Sequence, residues 1–439
     1  MKVHALTRLS AGIGLVLMAL SASTAEVVTL DEAESLALEH NRQVLIAEQN
    51  LASARAGVTK ARANMLPSLS ASAGYTRNIE RPVFFAPAPI GQVEMGEANE
   101  HTMTLAAAQP LFLGFAGITG YEAAQTSHEQ TEISSEQTRQ NVLLAVREAY
   151  LGAALAREMV SVQRQAVAQA ESSLALVQRR YDVGQASGFD LLQAQVQLAN
   201  TRPGLVSAES NRRLADARLR NAIGLDPSTD VQPADVLKPF ASRWADVSLD
   251  SLVAVASRNR PELLGLEYQQ RLARHGVRLS RAGYYPNVVL TGRMTWQGQS
   301  ADLVPEEFAR SIAAGVQLSW TLWDSWKTQS SVQQARVGLK QAELSADLVR
   351  EGIELEIEAA HEKLNEAAAK LASQETTVEQ AKEALRLSRV RYANGSSTQL
   401  DVSNAQLIVT QTQTAYASSI YEYHIAHARL EKALGLIGQ

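Results

Sequence analysis

The sequence predicts a mainly α-helical fold with a smaller β part, built twice from one unit: helix, strand, strand, long helix, tip, return helix. Three observations carry this reading. A motif at 180–195 returns at 391–406, displaced by 211 positions. In each half the hydrophobic period changes from 3.6 to 2 and back again. Two very long stretches, roughly 116–182 and 327–393, keep helical spacing without a single proline.

The repeated motif sets the frame. Arg180, Tyr181, Gly184, Asp190, Ala194 and Gln195 recur as Arg391, Tyr392, Gly395, Asp401, Ala405 and Gln406. The same displacement links Leu111 to Leu322, Leu144 to Leu355, Val167 to Val378, Leu174 to Leu385, and Gly224-Leu225 to Gly435-Leu436. A register kept over that length points to duplication, and a repeat fixes the architecture before any single element does. Gly184 and Gly395 can take positive φ and close a helix. Ser187 or Thr398 can then cap the next helix, whose first amides lack partners. Each copy is therefore read as the tip of a helical hairpin, at 182–190 and at 393–401.

Residues 1–25 read as a secretory signal: Lys2 and Arg8, an apolar core at 11–20, then Ser23-Thr24-Ala25 at the cleavage site. The alternative, a membrane anchor, is disfavoured because the apolar run is about half of the ~20 residues a span needs. Removing it takes away two positive charges and no negative ones, making the chain more acidic than its net charge of −5. The chain has no cysteine, so it is held by packing and offers no N-terminal thiol for lipid attachment. The balance of 41 basic and 46 acidic residues, with no basic patch carrying aromatics, argues against nucleic acid as a partner.

The first unit, 26–225, opens with helical spacing at Leu30, Ala33, Leu36, Ala37, Val44, Leu45 and Leu51. Pro67 stops that helix, as Pro286 does in the second unit, 248–439. Period-2 segments follow at about 67–76, 101–113, 286–298 and 310–323. Leu69, Ala71, Ala73 and Tyr75 alternate with serines and Gly74; Met103, Leu105, Ala107 and Leu111 alternate with Thr102, Thr104, Ala106 and Ala108. Val288, Leu290, Met294 and Trp296 share a face, and Ile312, Ala314, Val316, Leu318, Trp320 and Leu322 form the plainest apolar face of the four. Each run is long enough for a tilted strand across a bilayer. Trp296, Trp320, Trp323 and Trp326 lie at the ends of the last two strands, an aromatic-belt pattern; the alternative is the buried core of a β domain. The connection at 81–99, with Pro82, Pro87, Pro89 and Gly91, is expected to be irregular.

The long helices would each extend about 100 Å at 1.5 Å per residue, and need partner helices along their length. Return helices are expected at about 188–223 and 399–435, with helices at 42–65 and 261–283 stacking on them end to end. Pro203-Gly204 stands where the second unit has Thr414-Ala415, which predicts a kink or break near 200–204. The Pro- and Asp-rich stretch 226–247 reads as a linker or irregular belt. Four strands cannot close a membrane barrel, which needs at least eight. Oligomerisation follows, and a trimer would supply twelve.

No constellation for catalysis stands out. The chain lacks GxxxxGK, HExxH and GxSxG, and without cysteine it has no thiolate chemistry. His424 and His427, three apart on a helix beside Glu422, could be two metal ligands; with no third ligand evident they read as a helix face. No enzyme, cofactor or metal site is expected.

With its signal segment, duplicated unit, paired strands, long helices and the two tips (Arg-Tyr-Asp-Val-Gly and Arg-Tyr-Ala-Asn-Gly, each followed by an aspartate), the chain resembles the TolC-type outer-membrane efflux proteins of the non-lipidated branch. The similarity runs from Leu30 to Gly435. It implies a homotrimer: a 12-stranded β-barrel in outer-membrane lipid, continued by an α-helical barrel through the periplasm. It further implies a passive exit duct that opens on docking to a periplasmic adaptor protein and an inner-membrane pump, in efflux or type I secretion.

Position by position, the resemblance makes Gly184, Ser187, Gly395 and Thr398 the tips that meet the adaptor. Asp190 and Tyr392 become residues that bond across neighbouring hairpins to hold the tunnel shut, and Asp401 a ring of carboxylates at its entrance. Asn404 stands where some members carry a second aspartate, and Ser397 where some carry a basic residue. Both departures point to weaker closure and less avid cation binding. The rival readings are a periplasmic adaptor, which normally has one hairpin flanked by globular β domains, and a coiled-coil scaffold, which needs no amphipathic strands.

Overall fold

The computed structural model describes residues 26–438 apart from 82, 88, 90 and 246. The proposed signal segment, 1–25, lies outside the described residues. In chain order the elements are β1 (Glu26–Val28), α1 (Leu30–His40), α2 (Arg42–Ala63), β2 (Ser68–Arg77), β3 (Val83–Ala86), β4 (Gly91–Glu94), β5 (Asn99–Leu113) and α3 (Ala116–Asp182). They continue with α4 (Gly188–Ile223), β6 (Val231–Pro233), α5 (Leu249–Asn259), α6 (Pro261–Arg281), a 3-10 turn at Ala282–Tyr284, β7 (Asn287–Ser300), β8 (Ala309–Ser319), α7 (Lys327–Ala393) and α8 (Gln399–Ala433). The two long helices have 67 residues each.

The chain divides into two compact units. One holds the chain up to Ala37 with Glu148–Lys238 and Thr377–Tyr421; the other holds Leu38–Arg147, Pro239–Thr376 and Glu422 onward. Each unit therefore draws on both halves of the sequence.

The second unit contains the main sheet, four antiparallel strands in the order β2-β5-β7-β8. Strand pairing decides which side chains share a face, because successive residues point to opposite sides. Leu69, Ala71 and Ala73 pair with Ala107, Leu105 and Met103. Leu105 and Met103 pair in turn with Met294 and Trp296, and Met294, Leu290 and Val288 with Ile312, Val316 and Leu318. One face of the sheet is thus apolar through its middle, with Gln109, His101 and Arg310 toward its ends. The other carries Ser68, Ser70, Ser72, Thr102, Thr104, Thr291, Arg293, Thr295, Ser311 and Gln317. Among the described residues nothing covers the apolar face at β8, where Ile312, Val316 and Leu318 are 63–65% exposed. Among the described residues no helix is long and apolar enough to cross a membrane.

The alternation resets once. A bulge between Pro110 and Phe112 leaves Leu111 outside the ladder and sets Phe112 opposite Val288. Leu111 therefore does not continue the face of Met103, Leu105 and Ala107. Proline has no N–H for the ladder, and a bulge is where an interior strand accommodates it.

Aromatic side chains gather past one end of the strands. Phe112, Phe115 and Tyr285 form a chain of edge-on ring contacts, and Trp323 stacks edge-on with Trp326. The chain turns from strand into long helix through positive φ at Gly114 and Phe115 in one half, and at Ser325 and Trp326 in the other.

Two further expectations are corrected and a third, an irregular 226–247, gains one short strand. The connection at 81–99 is not irregular: β3 and β4 form an antiparallel ribbon, Val83 opposite Glu94 and Ala86 opposite Gly91. Val83, Phe84 and Phe85 favour strand, and Pro87 and Pro89 fall in the turn, where they cost no ladder bonds. The stretch 226–247 contributes β6, which pairs in parallel with β1. Tyr150 secures that small sheet in the first unit: its hydroxyl donates to Asp235 at 2.6 Å and receives the Asp235 amide at 3.2 Å. Burial and the neighbouring Asp235 carboxylate push the Tyr150 phenol well above its usual range.

Of the kink or break expected near 200–204, the break is absent, for α4 runs through Pro203. An interior proline costs roughly 3 kcal/mol, and burial of Leu198 and Ala208 on either side offsets it. A Cβ at Gly204 would lie 2.8 Å from Gln163 Oε1 on α3, the mobile end of a side chain that can turn aside.

Candidate functional site at the hairpin tips

The two tips, both in the first unit, are built by the same local chemistry. At the end of α3 the Gln185 amide donates to Arg180 O at 2.7 Å and the Gly184 amide to Tyr181 O at 2.9 Å. At the end of α7 the Ser396 amide donates to Arg391 O at 2.9 Å and the Gly395 amide to Tyr392 O at 3.1 Å. These bonds close a helix through a left-handed residue, and Gly184 and Gly395 sit at φ 75° and 72°. A side chain in that region pays a conformational cost, which glycine does not. No atom would meet an added Cβ at either glycine, so both present bare backbone to the outside.

The following helices are capped reciprocally. Ser187 Oγ accepts the Asp190 amide at 3.1 Å, and Asp190 Oδ2 accepts the Ser187 amide at 3.1 Å and the Ser187 hydroxyl at 2.8 Å. Thr398 Oγ1 accepts the Asp401 amide at 3.3 Å, and Asp401 Oδ2 accepts the Thr398 amide at 2.9 Å and hydroxyl at 2.8 Å. This is the capping box, with aspartate as its acidic member. Asp401 has a further donor, Ser397 Oγ at 3.1 Å. The Thr398 amide, then the Thr398 and Ser397 hydroxyls, hold the Asp401 carboxyl below the usual aspartate range. At both positions every one of these bonds falls on Oδ2, which leaves Oδ1 to accept from another group.

Tyr392 is buried, in a core with Val177, Ala194, Ala381, Leu385, Val402, Ala405 and Val409. Arg180 covers it. Its guanidinium lies 4.9 Å from the Tyr392 ring centre and donates to Tyr392 O at 2.9 Å and Ala393 O at 2.5 Å. A cation at these carbonyls satisfies the end of α7 and complements its dipole. The structure does not bring the Tyr392 hydroxyl and the Asp190 carboxylate together within one chain; no hydrogen bond joins them. Arg180 is the residue whose role sequence reasoning missed. Its signal was present, an arginine in the last turn of a helix and repeated as Arg391.

Among the described residues no group of three or more histidine and acidic side chains is placed to hold a metal ion. Phe240 packs on the rings of His424 and His427, 4.7 and 4.9 Å between centres. Burial lowers the His427 pKa.

A sheet with one mainly apolar and one polar face, in a chain with no described helix apolar enough to cross a membrane, is the pattern of an outer-membrane strand protein. The sequence profile of the family described as "Outer membrane efflux protein" matches residues 34–225 and 252–436, and the chain belongs to that family. It is 25% identical over 417 residues to the alkaline protease secretion protein AprF of Pseudomonas aeruginosa, covering 92% of this chain and 84% of AprF. It is 24% identical over 414 residues to the outer membrane protein TolC of Vibrio cholerae, covering 93% and 91%. Among solved structures, the Campylobacter jejuni CmeC outer membrane channel superposes with a TM-score of 0.81 at 17% identity, covering 99% of this chain and 94% of CmeC. The protein is thus an outer-membrane channel of export, with its helical part in the periplasm, and the adaptor and scaffold readings are not favoured.

Proposed function

We propose that the protein is the passive exit duct of a tripartite efflux or type I secretion system, assembled as a homotrimer. The observation that carries this is the sheet. Strands β2 and β8 each have one unpaired edge, and in lipid every unpaired backbone group costs several kcal/mol. Three copies joined edge to edge give twelve strands and no edge, with the apolar face toward lipid and the serine- and threonine-rich face toward the lumen. The exposed apolar row on β8 supports that orientation. A particle in mild detergent with three times the mass of the chain is the expected result. A monodisperse monomer with its strands folded would refute the barrel.

The tips supply the gate and the docking surface. Gly184, Ser187, Gly395 and Thr398 expose backbone and cap hydroxyls to a periplasmic adaptor, which links the duct to an inner-membrane pump. The Tyr392 hydroxyl bonds to Asp190 across a hairpin boundary when the ring of hairpins is closed, using the carboxylate oxygen that Ser187 leaves free. Asp401, by the same logic, turns its free oxygen to the entrance, where three copies favour cations.

A further inference from the structure

We infer that Arg391 caps the first tip of a neighbouring copy, as Arg180 caps the second tip within its own chain. The inference rests on the trimeric reading above. The two tips share one backbone pattern, displaced by 211 positions, so each group at one tip has a counterpart at the other. The counterpart of the Arg180 contact is an arginine at 391 donating to the carbonyls of Tyr181 and Asp182, with its guanidinium over the Tyr181 ring.

Every participant is present and waiting. Arg391 is exposed, and its guanidinium has no hydrogen bond, ion pair or ring contact among the described residues. Tyr181 is 45% exposed, whereas Tyr392, the ring that an arginine covers, is 7% exposed. Within the chain, the first hairpin's arginine serves the second hairpin. In a closed ring of alternating hairpins, the second hairpin's arginine faces the first hairpin of the next copy. The partner is therefore a second copy of this chain, and the site is incomplete without it.

The two boundaries would differ in one respect. The counterpart of Ala393 is Asp182, whose carboxylate among the described residues accepts only Gln178 Nε2, at 2.8 Å. The contact between copies thus adds a carboxylate beside the guanidinium, which the contact within the chain lacks. Charge-assisted bonds of this type are shorter and stronger than neutral ones. Partly exposed, the pair is also screened by salt.

The absence of cysteine from the sequence makes a direct test possible. An arginine spans more than the Cα separation a disulfide tolerates, so a short bis-maleimide is the suitable probe. The variant Arg391→Cys with Asp182→Cys is compared with Arg180→Cys with Ala393→Cys, each in detergent as the full chain, with mass measured before linking. The first pair is expected to give covalent dimers and trimers on a denaturing gel. The second is expected to run as a monomer carrying a 180–393 link by peptide mass. If the protein is trimeric and the 180–393 link forms, yet the 391–182 pair gives no ladder or links only within one chain, the inference is wrong and the duct reading stands. If the protein is not trimeric before linking, both fail. As a second readout, the Arg391→Gln trimer should dissociate at lower salt than the parent, and Arg391→Lys should recover part of the loss.

Discussion

The second tip is finished within one chain and the first is not. At the second, Tyr392 is buried, Arg180 spans two terminal carbonyls, and Asp401 collects three donors. At the first, Tyr181 is open, no arginine among the described residues covers it, and Asp190 collects two donors, both from Ser187. Yet the backbone bonds, the left-handed glycines and the capping boxes are the same at both. Local sequence therefore determines the shape of a tip, while neighbours determine how firmly it is held. The expected consequence is a firm tip and a loose one in an isolated chain.

The largest effect should come from removing the contact that distinguishes them. Arg180→Ala takes two charge-assisted bonds from the end of α7 and uncovers a buried ring. Hydrogen bonds to a charged group contribute on the order of 1.5–3 kcal/mol, which sets the scale of the loss. Amide exchange in 390–402 should accelerate by one to two orders of magnitude and approach the rates of 179–191. Unchanged protection at the second tip would mean that its core, not Arg180, sets the difference.

Next in size is the gate. Tyr392→Phe and Asp190→Ala should each raise single-channel conductance in a planar bilayer. Their combination should add little to the larger single effect, because both remove one bond. Additive increases would show two independent contributions. Parental conductance in both variants would dismiss the link and leave Tyr392 as a packing residue. Since Asp190 also completes the first capping box, Ser187→Ala is the control. It removes the cap at about 1 kcal/mol and keeps the carboxylate, so it should loosen 187–191 to exchange without reproducing the full conductance rise of Asp190→Ala.

Much of this comparison was legible in the sequence. The two long helices begin and end where proline-free helical spacing does, because a 3.6 period sustained over that length has no competing structure. Strand faces were legible wherever alternation was unbroken. It failed at Leu111, since one inserted residue flips the phase and leaves no mark in composition. The ribbon at 83–94 was hidden by its prolines, which signal a turn but not the strands that flank it. That Pro203 does not break α4 was hidden for a related reason: the propensity of one residue is outweighed by the packing of Leu198 and Ala208, which only the fold reveals. At the tips, Gly184, Gly395, Ser187 and Thr398 were readable because caps are local. Arg180 on Tyr392 was not, because its partner lies more than two hundred residues away and belongs to the other half of the repeat.

The smallest effect expected separates Asp401 from Asp190. The Asp401 carboxyl is held below its ordinary value of 3.8 by Thr398 and Ser397. A group whose folded pKa is depressed adds stability that is fully present above the unfolded value and is lost as pH falls through the folded one. Local protection of the Thr398 amide should therefore be level down to about pH 5 and decline only in more acid solution. Asp401→Asn should remove that acid-dependent step. On the trimeric reading proposed above, the same change takes one negative charge from each of three copies at the entrance, so the reversal potential across a salt gradient should shift toward zero as cation preference falls. Conductance should stay near the parental value, because Asp401 is not placed on the closing bond. If Asp401→Asn opened the channel as Tyr392→Phe does, the two aspartates would share one role. The difference between the tips would then lie in Arg180 alone.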